Sequence, residues 1–502
     1  MSEREIKLAS TPQFELPDLT GLVAGLTVGT DETTELTAQY FDTGDLRLTR
    51  AGMSLRFRPP EGWTVKTATS RSGIVLDRDE HVIVAPGRGG GPNPKPPERA
   101  LDLARAWSRT AEIVPIAEMI TRRRLVELRA ADGTAVVQVT DDHVSGTHGG
   151  EPFESFREIE VELLGDADED VARRVVRALR KAGAGKPEPV TKIVRALGPA
   201  ARGRPDIRIV AANPRSATRT LIRSRISRHV AAIVANDPGV RLGDDVEFVH
   251  QMRVAARRFR SDLQSFGPAL DRDWAGSLGR EVGWLCDELG SVRDTEVLLD
   301  LLTRHAERLP ERDRATAARL LRRLSERRGG RRDDLLVTLR SERYLTLLDR
   351  LVEAARSPLV DLEWGDRKAR KVAPLLVDRS WRKLRKAVRT LPATPEPLQL
   401  HRVRILAKRT RYVAEAVAEV SPERFTRFAK RLGALQDQLG SHHDAVVAQQ
   451  WLSREATLVG GTTHLSFVAG ELAGLMWIEE RRLLEAWRSV WDRVVEAAAA
   501  LD

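Results

Sequence analysis

The 502-residue sequence carries 82 Lys and Arg against 72 Asp and Glu, a formal charge of +10, and only 5% of its residues are aromatic. A chain of this size can bury more than one core, and its single cysteine, Cys286, excludes an intramolecular disulfide and suits a reducing compartment. With neither a cationic-then-apolar leader nor a run of eighteen apolar residues, a cytoplasmic chain with no membrane span is expected.

From the N-terminus, short alternating segments predict strands. In Glu3-Arg-Glu5-Ile-Lys7 the period of two puts Glu3, Glu5 and Lys7 on one face and Arg4, Ile6 and Leu8 on the other. The device recurs in Leu55-Arg56-Phe57-Arg58, Val65-Lys66, Arg78-Asp-Glu80, Arg122 with Arg124, and Glu158-Ile-Glu160-Val-Glu162. A solvated polar face explains any one strand. Carboxylates on the outer strands with cations between them point instead to a sheet that closes, turning its charged faces inward as a polar-lined barrel. Arginine forks grip phosphate oxygens. Carboxylates hold Mg²⁺ or Mn²⁺, and their crowding argues for a bound cation. Asp142 offers a further ligand, ahead of Asp141, and alternation alone does not choose among Arg122, Arg123 and Arg124.

Pro86 to Pro97 reads as a flexible loop, followed by an amphipathic helix from about Glu98 to Trp107. Domain boundaries are set at 1–200, a linker at 201–214 where prolines gather, and 215–502 beyond. The charge divides with them: residues 1–200 carry 27 cations and 31 anions, the remainder 55 and 41. The second part is therefore the one that attracts polyanions.

There the pattern is helical and duplicated. His250-Gln-Met-Arg253-x-x-x-Arg257-Arg258-x-Arg260 recurs 151 residues later as His401-Arg-Val-Arg404-x-x-x-Lys408-Arg409-x-Arg411. Leu289-Gly290-Ser-Val-Arg293-Asp294 recurs 150 residues later as Leu439-Gly440-Ser-His-His443-Asp444. Val249, Met252, Ala256, Phe259, Leu263 and Phe266 form an apolar stripe. Beside it His250, Arg253, Arg257 and Arg260 share one face. Cations one turn apart repel by a few tenths of a kcal/mol per pair, so their recurrence predicts an anion site. Zinc is disfavoured at His250 and His401, because arginines one turn away repel a cation. Asp294 and Asp444 are expected to orient a groove Arg or His or to cap a helix, and His442 to be solvated. The Arg312–Arg332 stretch reads as an exposed helix.

Glu3-x-Glu5-x-Lys7, Tyr40-Phe-Asp42-Thr, Leu55-Arg56-x-Arg58, Lys66, Arg78-x-Glu80, Glu160-x-Glu162 and Thr191-Lys192, in that order, resemble the CYTH family of triphosphate tunnel metalloenzymes. The two His-x-x-Arg helices resemble a CHAD domain, the conserved histidine alpha-helical module. The resemblance implies an α+β multidomain protein, an eight-stranded antiparallel β tunnel with flanking helices followed by an all-α domain of two related helical-bundle halves. It implies that Lys7, Arg56, Arg58, Lys66, Arg78, Arg124 and Lys192 contact triphosphate, and that Glu3, Glu5, Asp142, Glu160 and Glu162 bind Mg²⁺ or Mn²⁺. Lys66, Glu5 and Glu160 are the catalytic candidates. In the helical part, His250, Arg253, Arg257, His401, Arg404, Lys408 and Arg411 are the implied polyphosphate contacts, joined by Arg260, with Arg258 and Arg409 at the rim.

The expected function is metal-dependent hydrolysis of inorganic triphosphate or a related triphosphate, with polyphosphate bound by the helices and docking on polyphosphate granules. The alternative is a polyphosphate-binding or granule-targeting protein without catalysis. Nucleic acid ranks lower as a partner, because few aromatics interleave the basic stripes. The identity of the triphosphate and the oligomeric state stay open.

Overall fold

A computed structural model describes residues 2–21, 23–72, 75–83, 94–458 and 463–501, except for the side chains of 2, 3, 68–72, 75–79 and 458. Most of the Pro86–Pro97 loop, and the side chains of Glu3 and Arg78, therefore lie outside the described residues. The chain forms two units, residues 1–206 and 207–502.

The first unit is built from β1 (Ser2–Ser10), β2 (Thr27–Thr43), β3 (Ser54–Arg58), β4 (Gly62–Ser72), β5 (Val75–Ile83), β6 (Ile113–Arg129), β7 (Ala135–His148), β8 (Glu151–Pro152) and β9 (Phe156–Leu163). The sheet runs β6-β2-β3-β4-β5-β1-β9-β7, and β7 pairs back onto β6, so eight antiparallel strands close on themselves; β8 is a two-residue ribbon on the end of β7. This is the expected tunnel.

Alternation decides what faces in. On β1, Ile6 and Leu8 are fully buried outside the barrel. They pack with Val126, Leu128, Val137, Val139, Ile159 and Val161 beneath the helix α3 (Glu169–Lys181). Asp168 caps that helix by accepting from the Asp170 amide, and Ala172, Val175, Val176 and Leu179 form its apolar stripe. Each fully buried aliphatic side chain here contributes about 1.5–3 kcal/mol, which pins the register and so forces the intervening charged residues into the lumen.

Two short helices complete the outer wall. α1 (Arg47–Arg50) is held by Asp42, whose buried carboxylate accepts from the amides of Thr43, Leu48 and Thr49. Asp42 of the Tyr40-Phe-Asp42-Thr phrase is thus a backbone anchor. α2 (Glu98–Ser108) starts and ends within a residue of its sequence-based bounds.

The segment after α3 returns along β1. Gly185 donates to the Ala9 carbonyl at 2.8 Å and Glu188 to the Lys7 carbonyl at 2.9 Å. A Cβ at Gly185 would stand 2.6 Å from the Ala9 oxygen, so the close approach requires glycine. The segment leads into α4 (Lys192–Leu197), whose Ile193, Ala196 and Leu197 pack on the inward-facing Ala38, Tyr40, Met119 and Val144. α4 therefore plugs part of the lumen and carries Lys192 into it.

The second unit comprises α5 (Thr218–Leu242), α6 (Glu247–Ser265), α7 (Arg272–Ala306), α8 (Glu311–Arg340), α9 (Glu342–Arg356), α10 (Leu362–Gly365), α11 (Ala369–Arg389), α12 (Pro397–Ala418), α13 (Pro422–Leu458) and α14 (Thr463–Ala499). Consecutive helices pack as hairpins in two related halves, α5 to α8 and α11 to α14. Across the halves α5 meets α11, α6 meets α12, α7 meets α13 and α8 meets α14. The stripe Val249, Met252, Ala256, Phe259, Leu263, Phe266 is buried throughout. Thr410, which interrupts the second stripe, is buried too, with its hydroxyl within 2.9 Å of both the Ser380 hydroxyl and the Leu406 carbonyl. The Arg312–Arg332 stretch lies on α8 with Leu320, Leu321 and Leu324 buried and most of its arginines exposed. No described helix is long and apolar enough to cross a membrane.

Candidate functional site

The barrel encloses a cavity of about 200 Å³ lined by Glu5, Lys7, Arg56, Arg58, Lys66, Glu80, Arg123, Glu160, Glu162 and Lys192, among others. Of the residues expected in a shared lumen, Glu5, Lys7, Arg56, Arg58, Lys66, Glu160, Glu162 and Lys192 are brought together, and Asp142 lies fully buried just beneath the wall.

Arg124 is the exception. The β6–β7 register sets Arg123 opposite Asp142 and Arg124 opposite Asp141. Arg123 points inward, bonding Asp142 at 2.6 and 2.8 Å and Glu160 at 3.1 Å, whereas Arg124 is 43% exposed and pairs with Asp31 on the outside. The lumen-facing arginine of this strand is therefore Arg123. Its parity is opposite to that of Val126 and Leu128, which pack under α3, and the adjacent Leu125 hid that signal in the sequence. Asp141 likewise faces outward, where it holds Arg157.

The lumen is one ion-pair network. Lys192 Nζ donates to Asp142 at 2.9 Å and lies 2.8 Å from both Glu158 and Glu160. Lys7 contacts Glu160, Glu5 at 3.0 Å and Glu158 at 3.7 Å. Lys66 and Arg56 approach Glu80 at 3.5 and 3.6 Å, and Arg58 pairs with Glu61 at the rim. Burial opposes the Lys7 charge, yet Glu160 and Glu5 outweigh it and hold the ammonium above its usual value. Burial likewise opposes the Lys192 charge and is overcome by Asp142, Glu158 and Glu160. Glu160 is held well below the ordinary carboxylate range: burial pushes it up, but Lys192, Lys7 and Arg123 prevail. In Glu158, wholly enclosed, burial wins and the value rises.

Arg195, 3.2 Å from Glu158, joins the network without having been singled out in the sequence, whereas Glu158 was read as facing the lumen but given no ligand role. Glu158 had the signal, since it alternates with Glu160 and Glu162. Among the described residues no three His, Cys, Asp or Glu side chains are arranged to hold a metal ion. The donor chemistry nevertheless suits a hard cation, because three carboxylates already converge on one cationic nitrogen, Lys192 Nζ.

The second charged site lies where α6 meets α12. Arg253 pairs with Asp294 at 2.9 Å, and the His401 and His443 rings stand 4.4 Å apart. Asp294 and Asp444 sit within helices, so the capping alternative does not hold for either. Burial lowers Arg257, with Arg253 and Arg404 pushing in the same direction; burial lowers Arg404 as well, and Arg253 adds to it. Arg257 has no ion-pair partner among the described residues. His443 is pushed down to about 4 by burial, Arg404 and His401. Burial is also the first cause of the lowered values at His250 and His401.

In the first half the Leu-Gly phrase sets Gly290 against Arg253, whose guanidinium would stand 3.4 Å from a Cβ there, an ordinary contact. Gly283 is tighter, since a Cβ there would stand 3.1 Å from the Arg260 guanidinium, whereas at its match 150 positions on, Gly433, a Cβ would meet Arg411 at an ordinary 3.5 Å. His442 corrects an expectation: it is buried, 3.6 Å from Glu480, because α14 covers that side of α13.

A closed antiparallel tunnel with an ionic lumen is followed in one chain by a duplicated helical bundle with a cationic interface, which defines a two-module protein. Residues 1–197 match the CYTH domain and residues 224–453 the CHAD domain. "Uncharacterized protein Rv2226" of Mycobacterium tuberculosis (strain H37Rv) is 30% identical over 516 residues, 96% of this chain and 92% of its own length. "Uncharacterized protein MT2285" of strain CDC 1551 is 30% identical over 523 residues with the same coverage. Among solved structures, PptA from Streptomyces chartreusis has a TM-score of 0.48 at 22% identity, over 55% of this chain and 100% of that one. The CHAD domain from the plant Ricinus communis has 0.44 at 24%, over 56% and 96%. The chain belongs to the CYTH–CHAD fusion family. CYTH domains are often metal-dependent triphosphatases or cyclases, and the pair of domains fits polyphosphate-related function.

Proposed function

We propose that the tunnel binds and hydrolyses inorganic triphosphate or a related triphosphate with the help of Mg²⁺ or Mn²⁺, and that the helical unit binds inorganic polyphosphate and tethers the enzyme to polyphosphate stores. The observation that carries this reading is the pairing of the six cations that line the lumen, Lys7, Arg56, Arg58, Lys66, Arg123 and Lys192, with six acids, Glu5, Glu80, Glu160 and Glu162 on the same lining and Asp142 and Glu158 buried behind it; Arg195, the further cation of the network, is held by Glu188 at 2.9 Å as well as by Glu158. A triphosphate entering so balanced a space adds negative charge that only an accompanying cation offsets.

Glu5, Asp142, Glu160 and Glu162, with Glu3 on the same strand, would hold the metal. When bound, it would polarise the phosphoryl group and lower the pKa of its water. The protein's own cations do the remaining work. Lys7, Arg123 and Lys192 exchange carboxylate for phosphate oxygens, Arg56 and Arg58 hold the chain toward the rim, and Lys66 neutralises charge that grows on the leaving phosphate. The wall of the closed barrel keeps bulk water from these contacts, which strengthens each of them.

In the helical unit, half-buried guanidinium groups of Arg257 and Arg404 repel one another and have their charged forms disfavoured. An anion between the halves relieves both costs. The internal pairing of the lumen also supports a second reading, a receptor that retains triphosphate without turnover. Full-length protein incubated with tripolyphosphate and Mg²⁺ or Mn²⁺ separates the two. Phosphate release that is lost in Glu160→Gln supports catalysis, retention without release supports the receptor, and neither retention nor release would remove the tunnel from both readings.

A further inference from the structure

Duplication should give the α6–α12 interface two equivalent grooves. Arg257, Arg260 and Gln264 of α6 correspond, 151 positions on, to Lys408, Arg411 and Glu415 of α12. A pseudo-twofold axis relating the halves turns any contact of Glu415 with Arg258 into a contact of Gln264 with Arg409. Yet the two grooves differ in charge. Glu415 accepts from Arg411 Nε at 2.7 Å with one carboxylate oxygen, and its other oxygen lies 3.3 Å from Arg258. One acid thus neutralises a cation from each half. Gln264, a neutral amide, cannot do this to Arg260 and Arg409. The groove on its side is open, about 160 Å³, with Arg257, Arg260, Lys408 and Arg409 on its walls. None of these four has an ion-pair partner among the described residues. Tyr412 lines it as well, its ring 5.9 Å from Lys408 Nζ.

We infer that the Gln264 groove is a subsite for the continuing phosphate chain of a linear inorganic polyanion, and that Glu415 shuts the equivalent path on the other side. The chain then leaves the central Arg253, Arg257 and Arg404 cluster in one direction only. The inference rests on the polyphosphate reading of the helical unit and adds to it a polarity that the repeat itself does not have. It also removes Arg411 and Arg258, both held by Glu415, from the contacts expected of them.

The test is equilibrium binding of long-chain inorganic polyphosphate to the full-length protein over a range of salt concentrations. Gln264→Glu places a carboxylate between Arg260 and Arg409 and is expected to weaken binding about tenfold. Its plot of log affinity against log salt should become shallower by about one, since fewer counterions are released. Glu415→Gln frees two guanidinium groups and is expected to tighten binding and steepen the same plot. The slope does not depend on the fraction of folded protein, so a modest loss of stability does not obscure it. An unchanged slope in either variant, or weaker binding in Glu415→Gln, overturns the inference. Wild-type affinity in Arg257→Ala and Arg404→Ala would instead sink the polyphosphate reading as a whole, which keeps the two failures distinct.

Discussion

Lys192 holds three buried carboxylates at once, so its removal has a computable and pH-dependent cost. In Lys192→Gln, Asp142 keeps Arg123, and Glu160 keeps Lys7 and Arg123. Glu158 retains Arg195 at 3.2 Å and Lys7 at 3.7 Å, yet loses its contact at 2.8 Å while remaining fully enclosed. An ionised carboxylate stripped of a buried partner costs about 3–5 kcal/mol. Protonation limits that cost, because taking up a proton at pH 7 against an ordinary Glu value near 4.3 requires about 3.7 kcal/mol. The variant should therefore lose about 3–4 kcal/mol at pH 7. Its Glu158 has a folded-state value raised further above the unfolded one, so the penalty shrinks by about 1.4 kcal/mol for each pH unit lost. Near pH 5 it should be about 1 kcal/mol.

In the wild type Glu160 has the opposite sign. Glu160 is depressed when folded, so its stabilisation is intact above the unfolded value and is lost only as pH falls below that value toward the folded one. Hydrogen exchange of β1 and β9 amides, corrected for the intrinsic dependence on pH, measures both proteins. An equal deficit at pH 7 and pH 5 would refute the charge network as drawn.

Two further outcomes follow from the geometry. Arg123→Ala should reduce phosphate release about a hundredfold or more, as loss of a lumenal charge donor does, whereas Arg124→Ala breaks an exposed pair with Asp31 and should change stability by less than about 1 kcal/mol and activity not at all; a reversed order in a steady-state assay would refute the β6 register. His443 should titrate near 4 in the free protein, held down by burial, Arg404 and His401 against the opposing pull of Asp294. Bound polyphosphate reverses the local potential, so the ring's NMR titration should move upward and affinity should rise as pH falls from 7 to 5; affinity that falls over this range would contradict the placement of the anion beside His443.

Much of the tunnel was legible because a strand's period of two is rigid. Once Ile6, Leu8, Val126 and Leu128 are buried, Glu5, Lys7 and Arg123 have one place to go. What the sequence hid was relative, not periodic. Arg122, Arg123 and Arg124 sit in a run where Leu125 and Val126 are both apolar, so parity is ambiguous until the β6–β7 pairing is known. His442 looked solvated because its own helix does not reveal which side α14 covers. The helical stripe was readable at period 3.6, and so was the i,i+4 pair of Arg411 with Glu415, but the second partner of Glu415 was not, since Arg258 comes from the other half. Long-range pairing decides these residues, and local spacing carries no trace of it.

The two sites also differ in a way that ionic strength exposes. In the lumen the six cations are matched by six acids, so a triphosphate arriving with its metal displaces few condensed ions, and the barrel wall limits screening. At the helical interface Arg257, Arg260, Lys408 and Arg409 have no acid of their own among the described residues, and Arg404 is only distantly compensated. Five such contacts, at about 0.7 per phosphate, give a salt slope near −3.5, which is roughly a hundredfold loss of affinity between 50 and 200 mM salt. Measured on one preparation, metal-dependent tripolyphosphate turnover should scarcely change over that range while long-chain polyphosphate binding collapses. Equal salt sensitivity of the two would mean that both ligands use the same surface, and the division of the chain into a neutral tunnel and an uncompensated cationic interface would have to be abandoned.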